Sequence, residues 1–172
     1  TYYDYPNQRI NLLRKYGNHP FPTEQKLEAE ACDYCYQGTI SDKKIESSQQ
    51  EDKMNNAPEQ YVVKRCSDTK YNGGWHTDLT ADGLNALRWK ELPFRSGESI
   101  IRFRYASEGE ITVCCQIGNE MTQKVTLPAT GNAWEETEVA VYTRDTRGYA
   151  DFNLAVIEGA ISLNYVEIIT NK

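Results

Sequence analysis

"SIIRFRYAS", residues 99–107, decides how this chain is read. Ile101, Phe103 and Tyr105 alternate with Arg102 and Arg104, and in an extended chain successive side chains point to opposite faces. One face is apolar and the other cationic, the pattern of an antiparallel strand that covers a core and meets water on its far side. Val139 and Val141 repeat the alternation in "TEVAVYT", residues 137–143. Turn clusters such as "LPATGNA" (127–133) and "TRDTRGYA" (143–150) punctuate the runs.

Working outward, the same criteria predict strands near 26–31, 60–65, 85–92, 98–106, 110–117, 122–127, 136–143, 150–157 and 161–169. Many short strands without a clear amphipathic helix define the expected class: all-β, a sandwich of two antiparallel sheets. A chain of 172 residues is long enough for one well-buried core with some chain to spare. Residues 1–25, rich in aromatics, carry prolines before the first strand and a short helical turn around "INLLRKYG" (10–17). They read as a linker or the end of a preceding domain, with 26–172 forming the sandwich. Within it, residues 41–60 are polar enough to be a long loop.

The formal charge of −6 comes from 25 acidic and 19 basic residues without a basic stripe, so nucleic acid is not an expected partner. No stretch approaches the roughly 18 to 20 apolar residues of a membrane span, so no membrane partner is expected either. The chain starts at Thr1 with neither an initiator Met nor an apolar signal region and is expected to be a piece of something longer.

Two kinds of metal chemistry lie close together in "QKLEAEACDYC", residues 25–35. If the segment is extended, Glu28 and Glu30 share one face about 7 Å apart, and Leu27 and Ala29 face the core. That face is either solvated charge or a pair of hard oxygen ligands for Ca²⁺, which needs further oxygens from elsewhere. The C-x-x-C of Cys32 and Cys35 has no second pair and no H-x(3–5)-H to complete a zinc site; the two histidines are His19 and His76. A redox C-x-x-C would open a helix beside a parallel sheet, which a β-rich context does not supply. Five cysteines are an odd number; buried thiols are expected, with room for one disulfide such as Cys35–Cys66.

No catalytic residues assemble from sequence. There is no G-x-S-x-G, and nothing marks a pair of carboxylates as acid and nucleophile. The aromatic inventory is more informative, with twelve Tyr, three Trp and four Phe. Sugars lay flat C–H faces on aromatic rings, so rings on loops read as a glycan platform. Trp89, inside "ALRWKEL" (86–92), reads as core. Trp75 and Trp134, beside glycines and polar turn residues, read equally as core or as platform.

Taken in order, "KLEAEACDY" (26–34), "YNGGWHTD" (71–78), "NALRWKELPF" (85–94), "SIIRFRYAS", "TGNAWEETEVAV" (130–141) and "ISLNYVEI" (161–168) resemble the family 6 carbohydrate-binding modules and their relatives in families 35 and 36. The resemblance spans about residues 26–170. It implies a β-jelly-roll attached to a secreted or cell-surface glycoside hydrolase, binding polysaccharide or oligosaccharide without cleaving it, beside a catalytic domain in the parent chain. It also implies a structural Ca²⁺ on Glu28, Glu30 and Asn164, the last standing where the family has Asp. The family's loop-end sugar site carries over to Trp134. Its second ring aligns with Ala86 and its Asn with Ser162, leaving Tyr71 or Trp75 as replacement rings. Otherwise binding has moved to the concave sheet face, or the domain has become a structural support for its catalytic neighbour.

Overall fold

The computed structural model describes residues 24–47, 63–68, 74–94, 96–144 and 148–170. Among the described residues there are thirteen strands: β1 (Glu24–Glu28), β2 (Tyr34–Tyr36), β3 (Gly38–Ile40), β4 (Ile45–Ser47), β5 (Val63–Arg65), β6 (Trp75–Thr80), β7 (Ala86–Pro93), β8 (Gly97–Ala106), β9 (Ile111–Ile117), β10 (Gln123–Leu127), β11 (Glu135–Thr143), β12 (Tyr149–Glu158) and β13 (Ala160–Thr170). They form a β-jelly-roll sandwich. One sheet runs β11-β8-β13-β6-β5 with β1 also on β13; the other runs β10-β9-β12-β7-β2; β3 and β4 make a small hairpin. All pairings are antiparallel.

The opening stretch behaves as its alternation demands. Ile101, Phe103 and Tyr105 of β8 are fully buried between the sheets, while Arg102 and Arg104 stand on the outer face opposite Glu138 and Glu136 of β11. Arg102 bonds Glu138 at 2.8 Å and reaches Glu167 at 3.5 Å. Trp89 is core, 3% exposed, and donates its indole N–H to the Glu28 carbonyl at 3.1 Å. Cys115 faces the main core and Cys114 the opposite face of β9, in a smaller cluster with Tyr36, Ile45, Ala86 and Ala155.

Several expectations need correction. The first strand stops at Glu28 instead of running to residue 31, and Ala29–Ala31 form a 3₁₀ turn closed by Cys32 N–H donating to the Ala29 carbonyl. The chain bends there because β1 belongs to one sheet and β2 to the other. Leu27 and Ala29 are nonetheless buried as expected. All five cysteines are buried and free, so no Cys35–Cys66 disulfide exists; Cys35 lies in β2 and Cys66 follows β5 in the opposing sheet. Strand β4 lies inside the stretch read as a loop at 41–60 and folds back on β3. Ile45 N–H donates to the Gln116 side chain at 3.0 Å, which pins this hairpin to the outer face of the five-stranded sheet. The helical turn at 10–17 and the rest of the 41–60 segment beyond β4 lie outside the described residues. No helix among those described is long and apolar enough to cross a membrane.

Strand β13 changes partner along its length. On the side away from β8, β13 pairs first with β6 through Ala160–Leu163 and then with β1 through Tyr165–Ile169. Asn164 sits at the change of partner, where the register with β8 also shifts between Leu163 and Tyr165. A bulge of this kind re-aims side chains.

Candidate functional site

Strand alternation puts His76 and Asp78 of β6, Lys64 of β5 and Ser162 of β13 on the outer face of the larger sheet, near the end where its loops gather. Ser162 pairs across to Asp78 and donates its hydroxyl to Asp78 Oδ1 at 2.7 Å. Lys64 Nζ lies 3.0 Å from Asp78 Oδ2, and His76 Nε2 is 3.3 Å from Oδ1. Partial burial works against the Asp78 charge, but the Ser162 hydroxyl, Lys64 and His76 outweigh it and hold the carboxyl below its usual range. Burial pushes the His76 imidazole below its usual value, and Lys64 adds to that effect against the pull of Asp78.

Trp134, at the end of the loop before β11, joins this group. Its ring meets His76 edge to face at 5.3 Å between centroids, and its N–H donates to the Ser67 hydroxyl at 3.0 Å. The indole is half-buried. Its loop is fastened to Ser107, whose backbone N–H donates to the Thr130 hydroxyl while its carbonyl accepts from the backbone N–H of Thr130 and Asn132. Asn132 takes a left-handed backbone (φ 64), an uncommon state for a residue with a side chain.

Two residues expected from sequence, Trp134 and Ser162, are thus linked through His76 and Asp78. Trp75 is not. Trp75 is 42% exposed, but alternation turns it to the face opposite His76, where it pairs with Arg65 and takes the guanidinium over its ring at 5.8 Å. Tyr71 lies outside the described residues. Ala86 is not a gap in the loop-end site; it is fully buried under Tyr36 and Ile45, in the cluster beneath the β3–β4 hairpin.

A cleft of about 1010 Å³ opens at the loop end, with Asp78 and Ser162, the far members of the series that starts at Trp134, in its wall. Asp82, Ser107, Glu108, Glu110, Asn132 and Glu158 complete its polar lining. Gly159 floors the turn between β12 and β13 at φ +90, and a Cβ there would meet the Glu110 carbonyl at 2.9 Å, so only glycine serves.

The candidate calcium residues lie on the elements that meet at the change of partner on β13. Glu28 ends β1 and pairs with Tyr165, and the 3₁₀ turn carrying Glu30 follows at once. The donors therefore come from a strand end, a turn and a bulge, not from one face of a strand. Asn164 is fully buried, and its Nδ2 donates to Asp68 Oδ2 at 3.1 Å. Its Oδ1 is also buried and has no hydrogen-bond partner, an expensive condition that a cation would relieve. Two carboxylates and an amide oxygen are hard donors suited to Ca²⁺. Among the described residues no group of three or more His, Cys, Asp or Glu is arranged as a metal site, so the set depends on Asn164. Alongside, Arg104 holds Asp68 through two bonds of 2.6 and 2.7 Å, and burial, with the charges of Asp68 and Glu30, pushes the Cys66 thiol up.

The profile of the carbohydrate binding module family 35 matches residues 60–168, well over half of the chain. The chain belongs to that family. Family 35 is one of the two relatives named beside family 6 on sequence resemblance. A second profile, a domain of unknown function (DUF5010), matches residues 1–34 of the family 35 chain. Among curated proteins nothing matches significantly. Solved structures similar to this module include the C-terminal family 6 module of LamC, a marine laminarinase from Zobellia galactanivorans (18% identity, TM-score 0.60, covering 86% of this chain and 99% of that one). A family 6 module of lichenase 5A from Cellvibrio mixtus, solved with cellotriose, is 19% identical (TM-score 0.59, 86% and 98% covered). A family 35 module of Abf62 from Cellvibrio japonicus is 15% identical (TM-score 0.57, 87% and 94% covered).

His76 and Asp78 were not picked out by sequence reasoning, because "YNGGWHTD" reads as a glycine-rich loop. The signal available was Leu79, two residues beyond Thr77: both are buried, with His76 and Asp78 between and beside them.

Proposed function

We propose that this family 35 module is the non-catalytic, polysaccharide-binding part of a secreted or cell-surface glycoside hydrolase, taking chains of the plant-cell-wall type such as xylan at its loop end. The sugar ring lies on Trp134 and its hydroxyls bond the polar wall of the adjoining cleft. What carries this reading is the linked series Trp134–His76–Asp78–Ser162, which fixes an aromatic ring beside hydrogen-bonding groups. The cellotriose held by the similar family 6 module supports the choice of ligand class. The profile match over residues 1–34, to a domain of unknown function, supports a further domain on the N-terminal side. Affinity electrophoresis of the folded chain against soluble polysaccharides tests the proposal: retardation by at least one is expected, and mobility unaffected by all of them contradicts it.

Glu28, Glu30 and Asn164 would hold a structural Ca²⁺, whose divalent charge would tie the strand end, turn and bulge together. Within the chain, Asp68 already orients the Asn164 amide by accepting from Nδ2, which leaves Oδ1 as the atom to face the ion.

A second reading, a structural sandwich that supports its catalytic neighbour, is favoured by one observation. Among the described residues no aromatic ring lines the cleft, and Trp75 is turned to the face opposite His76. It predicts that deleting the module lowers the melting temperature of the parent enzyme while no glycan binds.

A further inference from the structure

Past β5 the chain turns back over the outer face of the larger sheet. Asp68 reaches beyond β6 to Asn164 of β13 and Arg104 of β8, accepting one bond from the amide at 3.1 Å and two from the guanidinium at 2.6 and 2.7 Å. Its side chain is 1% exposed. Two residues earlier the backbone is fixed as well, by Cys66 N–H donating to the Gly74 carbonyl at 2.8 Å. Between these anchors stands Ser67, which is exposed and whose hydroxyl accepts the Trp134 indole N–H at 3.0 Å. Trp134 arrives from the other side, since it leads into β11, at the opposite end of the strand order from β5. The ring is thus held at its N–H by Ser67 and edge to face by His76, both far from it in sequence.

A ring that rotates in the free chain must be ordered when a sugar stacks on it, and that ordering subtracts from affinity. An indole fixed beforehand escapes the loss. We propose that Ser67 and Asp68 are positioning residues for Trp134. The buried Asp68 carboxylate, held by Arg104 and Asn164, fixes the backbone at Ser67, and the Ser67 hydroxyl sets the angle of the ring. Asp68 has almost no surface to offer a sugar and acts only through its neighbour. This role rests on Trp134 being the module's sugar-stacking ring.

The indole N–H resonances of the isotope-labelled chain report the ring directly. The Trp134 signal is the one lost in Trp134→Phe, and Trp89, bonded to the Glu28 carbonyl, is the internal reference. Before any sugar is added, Ser67→Ala should shift the Trp134 signal and quicken its exchange with solvent, leaving the Trp89 signal in place. It should also weaken xylohexaose binding about three- to tenfold in calorimetry, at an unchanged melting temperature. Ser67→Thr, which keeps the hydroxyl, should restore both signal and affinity. Asp68→Leu with Arg104→Met removes the anchor without leaving a lone charge, so the Trp134 signal should move and affinity should fall in a chain that stays folded. An unmoved Trp134 signal with full affinity in Ser67→Ala or in the double variant overturns the positioning role, and a loss of binding in Trp134→Ala alongside leaves the glycan reading intact. Weakened binding in Ser67→Ala with an unmoved signal in the free chain makes Ser67 a direct sugar contact and also overturns it. Xylohexaose binding that withstands Trp134→Ala, or no binding by the native chain, removes the role together with the reading of Trp134 as the stacking ring.

Discussion

The indole of Trp134 and the imidazole of His76 meet edge to face, 5.3 Å between centroids with 63° between the ring planes. His76 therefore stands between the candidate sugar-stacking ring and the Asp78 carboxylate, and its Nδ1 is buried without a partner. Protonating it would put a donor on that buried nitrogen with nothing to receive the bond.

His76 gives the module a defined acid response. Its folded value lies below the ordinary 6.5, so between the two values the unfolded chain binds the extra proton, and stability falls as pH drops through that interval. Asp78 is also depressed; its contribution is present above the unfolded carboxylate value and is lost further down, as pH falls through the lower folded value. Melting temperature recorded from about pH 7 to 5 should decline for the native chain and flatten in His76→Gln. Parallel curves would show that His76 does not titrate with unfolding.

Asp68 and Arg104 form a buried pair, with side chains 1% and 13% exposed. Removing one partner strands the other's charge, so Asp68→Ala should cost about 3 to 5 kcal/mol in urea denaturation. The double variant Asp68→Leu, Arg104→Met should regain much of that loss, because no lone charge remains. A cost for the single variant below ~1 kcal/mol would mean that water reaches the pair.

Most of the sandwich was legible because its strands alternate. In β8 an apolar residue returns at every second position, Val139 and Val141 do the same in β11, and β13 keeps that spacing on either side of the bulge at Asn164. The strands that escaped notice lack this signature: β6 buries Thr77 beside Leu79, and β2, β3 and β4 are only three residues long, too short to show it. Glu30 was misplaced for a different reason. Two carboxylates two residues apart look like one strand face, but the need to cross between sheets bends the chain after Glu28. Trp134 and Ser162 were reachable through family resemblance. Their connectors His76 and Asp78 were not, since only the pairing of β6 with β13, more than eighty residues apart in sequence for Asp78 and Ser162, brings them together.

The Asn164 carbonyl oxygen makes the calcium proposal testable without reference to sugar. Calcium should raise the melting temperature and EDTA should lower it, because an ion that binds only the folded state stabilises by mass action. Asn164→Asp should enlarge the calcium-dependent rise by adding a charged ligand, and Asn164→Leu should abolish it. A melting temperature indifferent to calcium and EDTA in the native chain, with no calcium by elemental analysis, would exclude the site.

The most direct test compares the native chain with Trp134→Ala on a glycan array and, for any glycan bound, by titration calorimetry. Removing one stacked ring should cost about 1 to 3 kcal/mol of binding, while the melting temperature keeps the variant folded under the assay conditions. Undiminished affinity in a folded Trp134→Ala chain would contradict a sugar site at this ring.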